Sequence, residues 1–328
     1  MLPDLLLFSA CAVVIFIAGR KLSYYGNLIA IKTGIGKAWI GLVLVAAVTS
    51  LPELVVGIGS VTIVKSADLA LGDIAGSCAF NLLLLSLLDF MSPKPLLGRA
   101  ANTHVLAASM SILLLAIVGI GLFLPVDISI AGWLSAVSLL AFIVYFITIR
   151  LLFNYEKRNH HTEAEVAATG MPLRVAVRYY IFNSLFIVAA AIMLPTFAEG
   201  IALKSGLGLT FVGTLFLAAS TSLPEVAVSG SALRAGNVDI AVGNILGSNI
   251  FNIFILALDD LFYAGGSLLF NASDINLVSI FAAIMMTTVA IAGLMIKLPE
   301  KGFLLTWDTF VILLIFLFNL LLLYWLKA

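Results

Sequence analysis

Apolar stretches long enough to cross a bilayer follow one another along almost the whole chain, and no other feature constrains the fold as much. A hydrocarbon core of about 30 Å takes about 20 apolar residues as a helix, and within it each backbone N–H and C=O must be satisfied internally. Ten spans are predicted, near 4–19, 36–63, 68–89, 103–124 and 128–152, then near 175–200, 208–233, 238–260, 275–296 and 304–326. Composition agrees. Of 328 residues, 62% are hydrophobic and 10% charged, against about 25% charged in a soluble domain. A soluble enzyme, a disordered chain and a nucleic-acid binder are thereby excluded. Leu5 to Ala18 lacks the basic lead of a signal peptide and reads as a first span. Cys11 and Cys78 sit inside apolar runs and suggest neither a disulfide framework nor a zinc cluster.

The only long polar stretch is Asn154 to Met171. It divides the chain into a first five-helix repeat (1–153), a short linker (154–172) and a second five-helix repeat (173–328). His160 and His161 fall in this solvated loop and are poor metal candidates. Fourteen of the 17 Lys and Arg residues lie in loops after odd-numbered spans, leaving Lys65, Lys204 and Lys327. The positive-inside rule then makes the linker cytoplasmic and puts both termini outside. Trp39, Trp133, Trp307 and Trp325 fall near predicted span ends, where amphipathic rings prefer to sit. The expected fold is an all-α polytopic protein of the cell (plasma or inner) membrane, with the lipid bilayer as its surroundings.

The halves share a signature. Thr49-Ser50-Leu51-Pro52-Glu53 recurs as Thr221-Ser222-Leu223-Pro224-Glu225. Ala70-Leu71-Gly72-Asp73-Ile74-Ala75-Gly76-Ser77 recurs as Ala241-Val242-Gly243-Asn244-Ile245-Leu246-Gly247-Ser248, and Phe80-Asn81 as Phe251-Asn252. With an odd number of spans in each half, the two repeats are inverted in the membrane, as in many secondary transporters whose site lies near the midplane between repeats. Close helix packing accounts for the repeated Gly and Ser residues, but not for an intact pentapeptide ending in Pro-Glu.

Glu53 and Glu225 are the decisive side chains. An acid at membrane depth costs on the order of 3 kcal/mol even on lenient scales, which marks it as functional by default. The preceding proline bends each helix and is expected to leave carbonyls near Val48 and Ser220 short of partners. Thr49 and Thr221 share a helical face with their glutamates. Asp73, Ser77 and Asn81 form one polar stripe, and Asn244, Ser248 and Asn252 another. Gly72, Gly76, Gly243 and Gly247 are expected to let backbones approach. Oxygen-only donors suit Ca²⁺ and Na⁺ rather than zinc or copper. Two glutamates match one Ca²⁺ in charge, and Asn81 and Asn252 add ligands without charge.

The segments 46–81 and 218–252 resemble the paired signature repeats of the calcium/cation antiporter superfamily, most of all its sodium/calcium exchanger branch in the compact prokaryotic form. The resemblance implies exchange of several Na⁺ for one Ca²⁺ by alternating access, with no cofactor. It implies ion ligation by side chains of Thr49, Ser50, Glu53, Ser77, Asn81, Thr221, Ser222, Glu225 and Ser248, and by the carbonyls of Ala46 and Ala218. Spans 1 and 6 would slide to switch access. The sequence departs from the pattern in three places. Val48 and Ser220 replace the glycine before Thr-Ser. Asp73 stands where the family usually has Asn, as an outer ligand, a proton-titrating site or a helix-terminal acid. Asn252 occupies a position that is acidic in potassium-dependent relatives, which speaks against K⁺ co-transport.

Three rival functions remain at this point, of which a channel is disfavoured by the inverted repeats with kinked helices, which speak for alternating access. A Ca²⁺/H⁺ (cation/proton) antiporter of the same superfamily would protonate Glu53 or Glu225 instead of binding Na⁺. An intramembrane aspartyl protease, suggested by Leu69 to Asp73, needs two facing aspartates, and Asn244 stands at the counterpart position. Other acids take plain readings: Asp68 and Asp239 as helix caps, and Asp89, Asp259 and Asp260 as span ends near water. His104 opens a span at the interface. No sequence feature specifies an oligomeric state.

Overall fold

The computed structural model describes residues 2–130, 134–159, 171–205 and 220–327. Its long helices are α1 (Leu2–Thr33), α2 (Lys37–Thr49), α3 (Leu51–Val64), α4 (Ala67–Met91), α5 (Thr103–Phe123), α6 (Ala136–Asn159), α7 (Leu173–Ser205), α8 (Leu223–Arg234), α9 (Val238–Phe262), α10 (Asn276–Ile296) and α11 (Trp307–Lys327). Among the described residues, eight helices are long and apolar enough to span a membrane, or nine when α2 and α3 are one span broken at Ser50 with a bend of 40°. The first part of the expected span 208–233 lies outside the described residues, as do Ala218, Trp133, His160 and His161.

Burial ranks the helices. In the most apolar 18-residue stretch of α9, 89% of the residues are buried, against 67% for α4 and 17% for α1. The α9 helix packs against α2, α3, α4, α5, α6 and α8, so its polar stripe faces protein on every side. Small residues at one crossing explain how closely these helices meet. A Cβ on Gly243 would lie 2.9 Å from the Ala38 carbonyl oxygen, and one on Gly41 2.9 Å from that of Ile240. A Cβ on Gly247 would strike the Leu42 backbone. Lipid offers no hydrophobic drive for helix association, and such close van der Waals approach supplies it instead. The expectation for the first half is corrected: a Cβ on Gly76 would meet nothing within 4 Å, and one on Gly72 only Asn276 Oδ1 at 3.5 Å.

Several span limits also differ. The α1 helix has 32 residues, a length of about 48 Å. No loop interrupts it at Arg20 and Lys21, because no breaker follows and its second half packs on α7, where Tyr25 stacks on Tyr179 at 5.3 Å. Residues 128–130 and 134–135 do not begin a helix. Ser129–Ile130 pairs antiparallel with Leu134–Ser135, and α6 starts only at Ala136. These short strands are the exception to an all-α fold. The start of the polar stretch is helical to Asn159, and Glu156 is buried there, accepting from Thr103 Oγ1 at 2.5 Å.

Polar residues pin the ends of the two central helices. Asp89, near the end of α4, accepts from the Leu96 and Thr306 amides at 2.8 and 3.0 Å and pairs with Lys301 at 3.1 Å. Asp260 holds the matching place in α9 and accepts from the Ser135 and Leu268 amides at 2.8 and 2.5 Å. Both aspartates are fully buried, which corrects their reading as water-facing span ends. Asp68 and Asp239 do not cap their own helices. Asp68 accepts from the Ser273 amide at 2.5 Å. Asp239 accepts from the Ala101 amide at 2.7 Å and meets His104 Nε2 at 3.2 Å. His104 is fully buried rather than interfacial.

Candidate functional site

The two Thr-Ser-Leu-Pro-Glu segments adopt the same local backbone. Ser50 has φ −90° and ψ 6°, Ser222 has φ −82° and ψ 5°, and in each case a new helix begins with the proline in its first turn. Proline is tolerated there because the N–H it lacks would have had no helical partner. Each helix therefore starts afresh two residues before its glutamate, which places Glu53 and Glu225 in the first turn of α3 and α8. The Ala46 carbonyl accepts from the Ser50 amide at 3.0 Å and from Thr49 Oγ1 at 3.2 Å.

Side chains from both halves converge between α3, α4, α8 and α9. Ser50 Oγ donates to Glu225 Oε1 at 3.2 Å, and Ser248 Oγ donates to the same oxygen at 3.0 Å. Thr49 Oγ1 donates to Asn244 Oδ1 at 3.0 Å and lies 3.4 Å from Ser248 Oγ. Asn244 Nδ2 in turn donates to Ser229 Oγ at 2.9 Å. Asn81 Nδ2 donates to Asn249 Oδ1 at 3.1 Å, and Asn249 Nδ2 to the Cys78 carbonyl at 3.1 Å. Thr49, Ser50, Glu53, Ser77, Asn81, Thr221, Ser222, Glu225, Ser248 and Asn252 are all fully buried, and Asp73 is 7% exposed.

The oxygens left over define what the site can hold. Both carboxylate oxygens of Glu53, Oε2 of Glu225, the hydroxyls of Ser77 and Ser222, and Oδ1 of Asn81 and Asn252 are buried without hydrogen-bond partners. Glu53 lies within electrostatic reach of Glu225 and Asp73, and Thr221 faces it. Neither Glu53 nor Glu225 pairs with a basic side chain among the described residues. Buried acceptors in such number, three of them on carboxylates without counter-ions, are strongly unfavourable unless a cation or protons satisfy them. No group of three or more His, Cys, Asp or Glu side chains suited to a metal occurs among the described residues. The donor set is one of hydroxyl, amide and a few carboxylate oxygens, which fits Ca²⁺ or Na⁺.

Sequence reasoning missed three of these residues. Asn249 bridges the central helices, Ser229 completes the Asn244 bond, and Asp259 is fully buried with both oxygens unpartnered. A signal for Asn249 was present, since the repeated blocks align it with Cys78, the residue whose carbonyl it binds. Asp73 also has another aspartate within electrostatic reach, Asp259, from beyond the repeated block.

A multi-pass membrane protein with buried, oxygen-rich and acidic surroundings at two broken helix starts is the class this architecture defines. The family model for sodium/calcium exchanger proteins matches residues 4–151 and 176–325, and the chain belongs to that family. It is a transporter and not an enzyme, which removes the protease reading. It is 29% identical over 262 residues to the inner membrane protein YrbG of Escherichia coli, covering 78% of each chain. It is 37% identical over 119 residues to the sodium/calcium exchanger MaX1 of Methanosarcina acetivorans, which is 35% of this chain and 30% of that one. The solved structure of the sodium-calcium exchanger NCX_Mj in 10 mM Na⁺ shares the fold, with a TM-score of 0.75 at 19% identity, covering 97% of this chain and 98% of that one.

Proposed function

We propose that the protein exchanges Na⁺ for Ca²⁺ across the cell membrane by alternating access, binding the ions near the midplane between Glu53 and Glu225. The observation that carries this reading is the convergence of unpartnered buried oxygens from Glu53, Glu225, Ser77, Ser222, Asn81 and Asn252 with no basic side chain to neutralise the two glutamates. Thr49, Ser50, Thr221 and Ser248 complete the ligand set, with the carbonyls of Ala46 and Ala218. The chain is read as two inverted five-helix repeats, 1–153 and 173–328, joined by a cytoplasmic linker with both termini outside. The identical backbone at Ser50 and Ser222 supports that symmetry, and the 14-to-3 distribution of basic residues supports the orientation. The long helices α1 and α7 pack along each other at the periphery, as a sliding pair would.

Proton coupling is the second reading, favoured by the further carboxylates Asp73 and Asp259, which also lack partners. Proteoliposomes loaded with NaCl and diluted into choline chloride with ⁴⁵Ca²⁺ decide between them, with KCl-loaded and acid-loaded vesicles in parallel. Uptake driven only by internal Na⁺, and abolished in Glu53→Gln and Glu225→Gln, is the expected result. Uptake driven by acid and indifferent to Na⁺ would establish the proton-coupled reading. No uptake under any gradient would refute both.

A further inference from the structure

The two halves differ most in charge at one end of the central helices. Asn244 accepts from Thr49, but Asp73, its counterpart in the first block, has both oxygens free. Asp260 and its counterpart Asp89 both clamp backbone amides. Asp259, by contrast, aligns with Leu88 and is fully buried with both oxygens free. Asn81 meets Asn249 while Cys78 meets Asn252, so α4 and α9 run antiparallel and Asp73 and Asp259 both lie toward the end where α4 begins, within electrostatic reach of each other. The Asp259 carboxylate occupies the space beside Gly57 that a Cβ would fill. Gly57 lies one turn beyond Glu53 on the same face of α3.

We propose that Asp73 and Asp259 form a second cation site, selective for hard divalent ions such as Ca²⁺, one turn beyond Glu53 on the path to the membrane face where α3 ends and α4 begins. The inference rests on the exchanger reading above. Glu53, Glu225, Asp73 and Asp259 have no basic partner among the described residues. Their four negative charges match two divalent cations, whereas the two glutamates alone match one. A carboxylate pair offers up to four of the six to eight oxygens that Ca²⁺ takes, and water supplies the rest. The absence of a side chain at Gly57 leaves room for the Asp259 carboxylate at the level where an ion leaving Glu53 would pass.

The test is equilibrium dialysis of the purified full-length protein in detergent against ⁴⁵Ca²⁺ in Na⁺-free buffer. The wild type is expected to bind about two Ca²⁺ per chain, as its four carboxylates require. Asp73→Asn and Asp259→Asn should each lose one. The double variant Glu53→Gln/Glu225→Gln should also lose one, but keep the ion that the aspartates hold. A wild type that binds one Ca²⁺, or an Asp259→Asn variant that still binds two, overturns the proposal. A double glutamate variant that binds as much as the wild type would instead overturn the Glu53–Glu225 reading. Should Asp259→Asn fail to elute as a folded species, Asp73→Asn reports on the same pair.

Discussion

Ser50 reaches from the break between α2 and α3 to donate its hydroxyl proton to Glu225 Oε1 at 3.2 Å, across 175 residues of chain. One oxygen of Glu225 is thus oriented by donors from both halves, with Ser248 at 3.0 Å, and the other is left free. A carboxylate held this way offers a fixed oxygen to a cation without first having to be ordered.

Ser50→Ala removes that orienting bond, which is worth about 1.5–3 kcal/mol when a charged group accepts it. The half-saturating Ca²⁺ concentration in ⁴⁵Ca²⁺ uptake is expected to rise by about tenfold. The melting temperature in ion-free buffer should also fall by a few degrees, because the bond is present without an ion and the Glu225 carboxylate stays buried when it is lost.

Glu53 is buried with neither oxygen bonded, so its charge is unfavourable when no ion is present. Glu53→Gln should therefore raise the melting temperature in EDTA and Na⁺-free buffer by a few degrees. It should also shrink the rise that saturating Ca²⁺ gives the wild type, by about 2.7 kcal/mol at a hundredfold excess over the Kd of the Glu53–Glu225 site, and leave the part due to the ion held by Asp73 and Asp259. Scanning fluorimetry with and without Ca²⁺ checks both.

Gly247 lies against the Leu42 backbone, and Gly247→Val must push α2 away from α9. Overpacking of this kind costs about 1–3 kcal/mol. Since α2 leads directly into Thr49 and Ser50, transport should fall along with the melting temperature. Gly76→Ala, with nothing within 4 Å of the added methyl group, should leave the melting temperature unchanged.

Lys301 is the only basic side chain paired with the fully buried Asp89 among the described residues. Lys301→Met leaves that charge uncompensated, at a cost of about 3–5 kcal/mol. Asp89→Asn in the same chain should recover part of the loss, which a double-variant cycle of melting temperatures in detergent would show.

The sequence by itself determined what the bilayer and the local chain enforce. Twenty-residue apolar runs must be helices where water cannot satisfy the backbone, and a proline two residues after Ser50 or Ser222 must begin a new helix. The repeated Pro-Glu segments, with Ser77, Asn81, Ser248 and Asn252, were therefore legible without coordinates. Helix length was not: α1 passes through Arg20 and Lys21 to Thr33 because α7 packs beside its second half. Burial of the acids was decided by tertiary structure alone. Asp89, Asp259 and Asp260 look alike as acids at the ends of apolar runs. Amides and a lysine from distant segments turn Asp89 into a clamp, other amides do the same for Asp260, and Asp259 is left with no donor. Local sequence carries hydrophobicity and backbone preference. Which donors surround a carboxylate depends on residues up to more than 200 positions away, brought beside it only when the helices pack.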